Sequence, residues 1–184
     1  MGHSQAGKLA THQRIVQVAA RRLRERGIEG ISVGDIMKEA GLTVGGFYKH
    51  FESRDALVTE AFIMALQDIE HIQAALKTAP ERAISTYVSE SHRNNLGRGC
   101  PISALVNDVP RAPEATREAF TERVSEIIAL LAQSLPDTED AHAKAVMIFS
   151  TCVGSIALAR AVNDPSLSNR IIEGALAEML KMYE

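Results

Sequence analysis

Between Ile31 and Phe51 the chain reads ISVGDIMKEAGLTVGGFYKHF, a run with a narrow choice of local structure: two short helices joined by a tight turn. Ser32 stands where an N-cap belongs, with Asp35 three residues on. Its hydroxyl can accept a hydrogen bond from an otherwise orphan amide while the carboxylate reaches back. Ile36, Met37 and Ala40 supply the apolar side of this first helix, and Gly41 can adopt the positive φ that ends it. Thr43 is then placed to cap a second helix.

That second helix contains Gly45 and Gly46, each costing about 0.8–1 kcal/mol relative to alanine. Helix stability therefore did not select them. Glycines at a helix start let the backbone approach a flat surface closely, and the free amides and dipole favour phosphate. Tyr48, Lys49 and His50 follow, all able to donate hydrogen bonds to phosphate oxygens. Phe47 and Phe51, four apart, share one face and anchor the element to its neighbours. With 5 Phe, 3 Tyr and no Trp in the whole chain, three of the eight aromatics fall between residues 47 and 51.

THQRIVQVAARRLRERG followed by ISVGDIMKEAGLTVGGFYKHFESRDAL resembles the N-terminal DNA-binding domain of TetR/AcrR-type transcriptional repressors, from Thr11 to Phe62 without a gap. The resemblance implies an all-α protein with a three-helix helix-turn-helix head and a larger helical body for ligand binding and dimerisation. The expected division is 1–52 and 53–184. The expected DNA-contacting residues are Ser32, Thr43, Val44, Gly45, Gly46, Tyr48, Lys49, His50 and Arg54. Two positions depart from the family pattern: Arg24 stands where an aromatic is common, and Val44 where a polar residue is common.

The net charge of −3 does not suggest a nucleic-acid binder, but its distribution does. Residues 1–55 hold nine Lys or Arg against six Asp or Glu, whereas the rest of the chain holds 11 against 17. A cationic end on an acidic body fits a polyanion at one pole. Two cysteines make no disulfide framework, and no targeting segment is visible, so a cytoplasmic protein is expected. The apolar run Ala145–Ala159 is expected to be too short for a bilayer, and no membrane partner is expected. The six histidines, at 3, 12, 50, 71, 92 and 142, never fall at metal-ligand spacing. Neither a cofactor nor a catalytic constellation is expected; residues 2–7 only imperfectly mimic a nucleophile motif.

Helical periodicity continues throughout. A first helix is expected over about Lys8–Arg26, stopped by Gly27, and a long one from Ser53 through Leu76 that joins head to body rigidly. Pro80 opens a fifth helix carrying Ile84, Tyr87, Val88 and Ser91. A short helix follows Cys100, and another runs from Pro113 to Pro136. The last two, over 139–163 and 167–183, are the most apolar.

The family resemblance implies dimerisation through these last helices, and Gly154, Ala157, Leu158, Ala161, Ile172, Leu176 and Met179 are the expected contacts. It also implies a small-molecule effector, for which Tyr87, Ser91, Cys100, Leu105, Phe120, Met147 and Thr151 are the expected lining. The resulting expectation is a homodimeric repressor that binds a pseudo-palindromic double-stranded operator and is released by a small molecule. Two alternatives stand beside it. Arg98 and a following helix start could activate Cys100 as a redox or electrophile sensor, or a small helical enzyme could retain a vestigial helix-turn-helix.

Overall fold

The computed structural model describes residues 5–136 and 139–183, and all regular structure among them is helical. His3 and the start of the nucleophile-like run lie outside these residues. Helix α1 (Gln5–Arg26) is followed by α2 (Val33–Glu39), a 3₁₀ helix over Val44–Lys49, and α3 (Arg54–Gln67). The body comprises α4 (Glu70–Thr78), α5 (Pro80–Tyr87), α6 (Glu90–Asn94), α7 (Pro101–Leu105), α8 (Glu114–Ser134), α9 (Ala141–Ala161) and α10 (Pro165–Leu180). Short 3₁₀ turns at Leu96–Arg98, Val109–Arg111 and Lys181–Tyr183 complete it.

Local chemistry explains the head. Ser32 caps α2, accepting from the Asp35 amide at 3.1 Å and donating to the Asp35 carboxylate at 2.8 Å. Gly41 ends it at φ 71°, and the Leu42 amide reaches back to the Met37 carbonyl. The following element is tighter than the expected α-helix. Gly46 N–H bonds the Thr43 carbonyl at 3.0 Å and His50 N–H the Phe47 carbonyl at 2.8 Å, while the Thr43 side chain makes no cap bond. Two glycines in six residues weaken α-helical propagation and leave this short i→i+3 form.

The expected long helix from Ser53 to Leu76 is two helices. Ser53 caps α3 as expected, accepting from Ala56 N–H at 3.0 Å. The chain then breaks at Asp68–Ile69, where a guanidinium from α1 holds the Asp68 carboxylate and Ile69 turns into the core. The expected fifth helix also breaks, at Val88. Ser89 caps a new helix through the His92 amide, so Ser91 lies on α6 and not beside Tyr87.

One core runs through the molecule, with α1 packed on α3 and α9 packed between α8 and α10. The 21-residue α9 is long and apolar enough to cross a membrane by composition, contrary to the shorter run expected from sequence. Its inner face, including Ile148, Cys152, Ile156 and Ala159, is instead buried against its neighbours. Its outer face leaves Val146, Met147 and Leu158 exposed, and a Cβ added at Gly154 would meet nothing.

Candidate nucleic-acid interface and body cavity

Phe47 and Phe51 are buried and stacked at a centroid distance of 5.4 Å, and His12 of α1 stacks on Phe51 at 4.5 Å. This aromatic base fixes the 3₁₀ element, and its other side faces outward. Tyr48 is 79% exposed and Val44 55% exposed. Gly45 has negative φ, and a Cβ there would touch no atom of the protein. Neither backbone conformation nor internal packing requires glycine at 45.

Beside this element Lys49 and His50 form a notch with Gly7, Lys8 and Thr11 at the start of α1. The His50 Nδ1 is buried without a hydrogen-bond partner. Desolvation holds the His50 pKa below its ordinary value, helped by His12, Lys8 and Lys49. An anion beside Lys8 and Lys49 would reverse the cationic repulsion on this ring. Lys8 and Thr11 were not expected in the site, because the periodicity of α1 gives no sign that its first turn meets residues forty positions away. Arg21 and Arg22 do not contribute free charge: both pair with Glu39, and Arg22 also pairs with Glu25.

The body contains a cavity of about 270 Å³ between α4, α5, α6 and the loop leading to α7. Ile69, Ile72, Ala75 and Ala83 form its apolar wall. His92 and Cys100 close its inner side. His92 Nε2 lies 2.9 Å from the Cys100 amide and Nδ1 2.6 Å from the Tyr87 carbonyl. An amide only donates, so Nε2 accepts, Nδ1 carries the proton, and the ring is neutral. Burial, and secondarily Arg160, lowers the His92 pKa, against the opposing Tyr87 carbonyl bond. Arg160 reaches from α9 to the His92 carbonyl at 2.8 Å and the Arg93 carbonyl at 3.1 Å, satisfying the end of α6.

Arg24 joins this cavity to the head. It is 6% exposed, donating from Nε to the Gly97 carbonyl at 2.8 Å and from Nη1 to Asp68 Oδ2 at 3.0 Å. Asp68 precedes the wall residue Ile69, and Gly97 precedes the rim residue Arg98. A Cβ at Gly97 would lie 2.6 Å from Glu25 Oε1, so a larger residue there would displace the end of that side chain. A second tie runs from Ile28 N–H to Asp108 Oδ2 at 3.0 Å.

Residues 15–61 match the bacterial regulatory proteins, tetR family, and residues 77–173, more than half the chain, match the C-terminal domain of LmrA/YxaF-like transcriptional regulators. The chain belongs to the TetR family of transcriptional regulators. The TetR family is not enzymatic, which removes the vestigial-enzyme alternative. An uncharacterised HTH-type transcriptional regulator of Mycobacterium tuberculosis strain H37Rv is 30% identical over 171 residues, 83% of this chain and 85% of its own length. The HTH-type transcriptional repressor KstR2 of Rhodococcus jostii is 33% identical over 64 residues, 35% of this chain and 31% of its own. Among solved structures, a TetR family regulator from Cytophaga hutchinsonii shares the fold with a TM-score of 0.79 over 98% of each chain at 19% identity. Reduced NemR of E. coli does so with a TM-score of 0.77 over 95% of this chain and 97% of that one, at 20% identity.

Against this TetR framework, Thr43, Val44, Gly45, Tyr48 and Lys49 are exposed together on the head, with Gly46 and His50 half-buried beside them. Ser32 is exposed, but both its lone pair and its proton serve the α2 cap. Arg54 is half-buried, and its guanidinium donates to the Ile28 carbonyl and braces the loop after α1. In the body, Ser91 and Cys100 line the cavity. Tyr87 is buried behind it with its hydroxyl unpartnered, Leu105 is fully buried in the core, and Phe120 stacks near Phe62 on α3. Thr151 and Met147 lie on α9 away from the cavity, and Met147, 48% exposed, points outward. The activated thiol is also corrected. Cys100 is buried and desolvation raises its pKa, outweighing the Tyr87 hydroxyl, the Ser103 and Ile102 amides and Arg160. Cys152 is pushed up to about 12, again by burial. Of the expected dimer contacts, Leu158 and Ala161 are exposed and Gly154, Ala157 and Leu176 half-buried. Ile172 and Met179 instead pack inward, Met179 sulfur lying 3.6 Å from Cys152 Sγ.

Proposed function

We propose that this TetR family regulator is a cytoplasmic, homodimeric repressor whose heads, residues 1–52, bind a pseudo-palindromic operator and whose body, 53–184, releases it when an effector fills the cavity. The Arg24 clasp carries this reading. A single buried guanidinium on a head helix grips two cavity-bordering segments, the α3–α4 break and the turn before α7, so any ligand that moves those segments apart must either drag α1 or break the clasp. An effector that binds only the displaced arrangement shifts the population away from the operator-competent form by its differential affinity.

The outer face of α9 supports the dimer. Val146, Met147, Leu158 and Ala161 share one side of the helix, leave a clear path at Gly154, and form an exposed apolar stripe that a second copy can cover. Two copies joined there place two recognition elements about a two-fold axis, which an operator of two half-sites requires.

Filling the cavity from within tests the release step. Ala75→Phe should leave a folded dimer with operator affinity lowered at least tenfold, and Arg24→Met in the same chain should remove most of that penalty, because the two residues act through one connected set of side chains. A folded Ala75→Phe dimer with unchanged operator affinity would contradict release through the cavity.

A further inference from the structure

The charge around the body cavity is opposite to that of the body itself. Beyond residue 55 acidic residues outnumber basic ones 17 to 11, yet no Asp or Glu lines the cavity. Arg82 on α5 and Arg98 on the turn before α7 do line it, with His71 on α4. Both arginines are exposed, and neither guanidinium has a hydrogen-bond or ion-pair partner among the described residues. Other arginines close to this region are occupied: Arg24 by Asp68 and Gly97, Arg93 by Ser168 and Asn169, Arg160 by the end of α6. Two carboxylates on the head side, Asp68 and Glu25, are held by Arg24 and Arg22.

We infer that the cavity takes an amphipathic anion: an apolar body against Ile69, Ile72, Ala75 and Ala83, and one carboxylate or phosphate group taken by Arg82 and Arg98. This rests on the reading of the cavity as the effector site. A guanidinium prefers these planar or multi-oxygen anions over any neutral group, through charge-assisted and often bidentate bonds. The apolar wall supplies affinity that an inorganic anion would lack, as in small-molecule sites generally. Arg98 adjoins Gly97, whose carbonyl the Arg24 clasp holds, so an anion drawn to Arg98 acts on the segment that connects to the head.

Calorimetric titration of the full-length protein with four ten-carbon probes tests this. Decanoate, decyl phosphate, decanol and decyltrimethylammonium share one apolar chain and differ in the head. At least one of the two anions should bind about tenfold or more tightly than decanol, as one or two charge-assisted bonds imply, and the cation should not bind. The tighter anion identifies the head group. The double variant Arg82→Met, Arg98→Met breaks no internal hydrogen bond or ion pair of either guanidinium and should fold with unchanged thermal stability. It should bind the preferred anion about tenfold more weakly and decanol less than twofold more weakly. Equal affinity for decanol and both anions, preferred binding of the cation, no binding of either anion at millimolar concentration, or full anion affinity in the double variant would each overturn the inference. Repeating the titration on the operator complex separates the two ideas. Anion binding that leaves the operator bound retains the ligand class and defeats the effector reading. Operator release by decanol as effectively as by either anion retains the effector reading and defeats the ligand class.

Discussion

The recognition element at Val44–Lys49 and the outer face of α9 expose large apolar groups in the same way, and their surroundings separate what each surface meets. Val44 and Tyr48 stand among Lys8, Lys49 and His50, at the cationic pole. Met147 and Leu158 stand on a helix whose other exposed residues are His142, Ala143, Val146, Ser150 and Ala161, with no Lys, Arg, Asp or Glu among them. An apolar group ringed by cations fits a polyanion carrying base edges and methyl groups. An apolar stripe without charge fits only another apolar stripe, and the same stripe on a second copy is the most available one.

The sharpest break of this comparison is on α9. Leu158→Glu should convert the dimer to a folded monomer at low micromolar concentration by sedimentation, because the charge is stranded only in the assembled state. Ile172→Lys should unfold the protomer instead, since that side chain is already inside it. A folded dimer of normal size with Leu158→Glu would remove α9 from the interface. On the head, Lys49→Ala should weaken binding to all duplexes alike and flatten the slope of log K against log salt by about 0.9 for each phosphate that the lysine no longer neutralises. An unchanged slope would mean that Lys49 meets no phosphate.

The two depressed histidines offer a smaller and finer contrast. His50 has its pKa lowered by desolvation and by cations that a phosphate would neutralise. Its pKa should therefore rise on the operator, the complex should hold the extra proton, and affinity should increase several-fold as pH falls from 7.5 to 6. Fluorescence anisotropy with His50→Gln should show that increase abolished. His92 is lowered mainly by burial in the folded chain. The folded state then binds fewer protons than the unfolded one below pH 6.5, so its contribution to stability is lost as pH falls through the window between 6.5 and the lower folded value. Thermal unfolding at pH 7.5 and 5.5 should show a smaller loss for His92→Gln than for the native sequence.

The features legible in the sequence are those the chain settles within a few residues. The Ser32 and Ser53 caps, the left-handed Gly41, the Pro80 helix start and the Phe47–Phe51 pair all depend on neighbours at three or four positions. The break at Asp68 is not legible, because its partner Arg24 lies 44 positions earlier. Arg24 is visible as a departure from the family pattern, but nothing in α1 shows that it meets a carbonyl 73 positions on. The division of α9 into inner and outer faces is hidden for another reason. A helix apolar on every side has no phase, so Cys152 and Ile156 cannot be told from Leu158 and Ala161 by pattern alone. The nearby Arg98 suggests a lowered Cys100 pKa, whereas burial decides it in the opposite direction.

The central claim is that the 3₁₀ element enters a DNA groove from each half of a dimer. Selection of bound duplexes from a random-sequence pool, run in parallel with the native protein and Gly45→Leu and followed by sequencing, tests it most directly. Gly45 is exposed and a Cβ there meets no other residue, so the added side chain starts in open space. The native protein should enrich an inverted repeat whose half-sites lie about one helical turn or a multiple of it apart, and Gly45→Leu should enrich nothing while remaining a folded dimer. An unenriched pool from the native protein, or the same inverted repeat recovered with Gly45→Leu, would contradict the account.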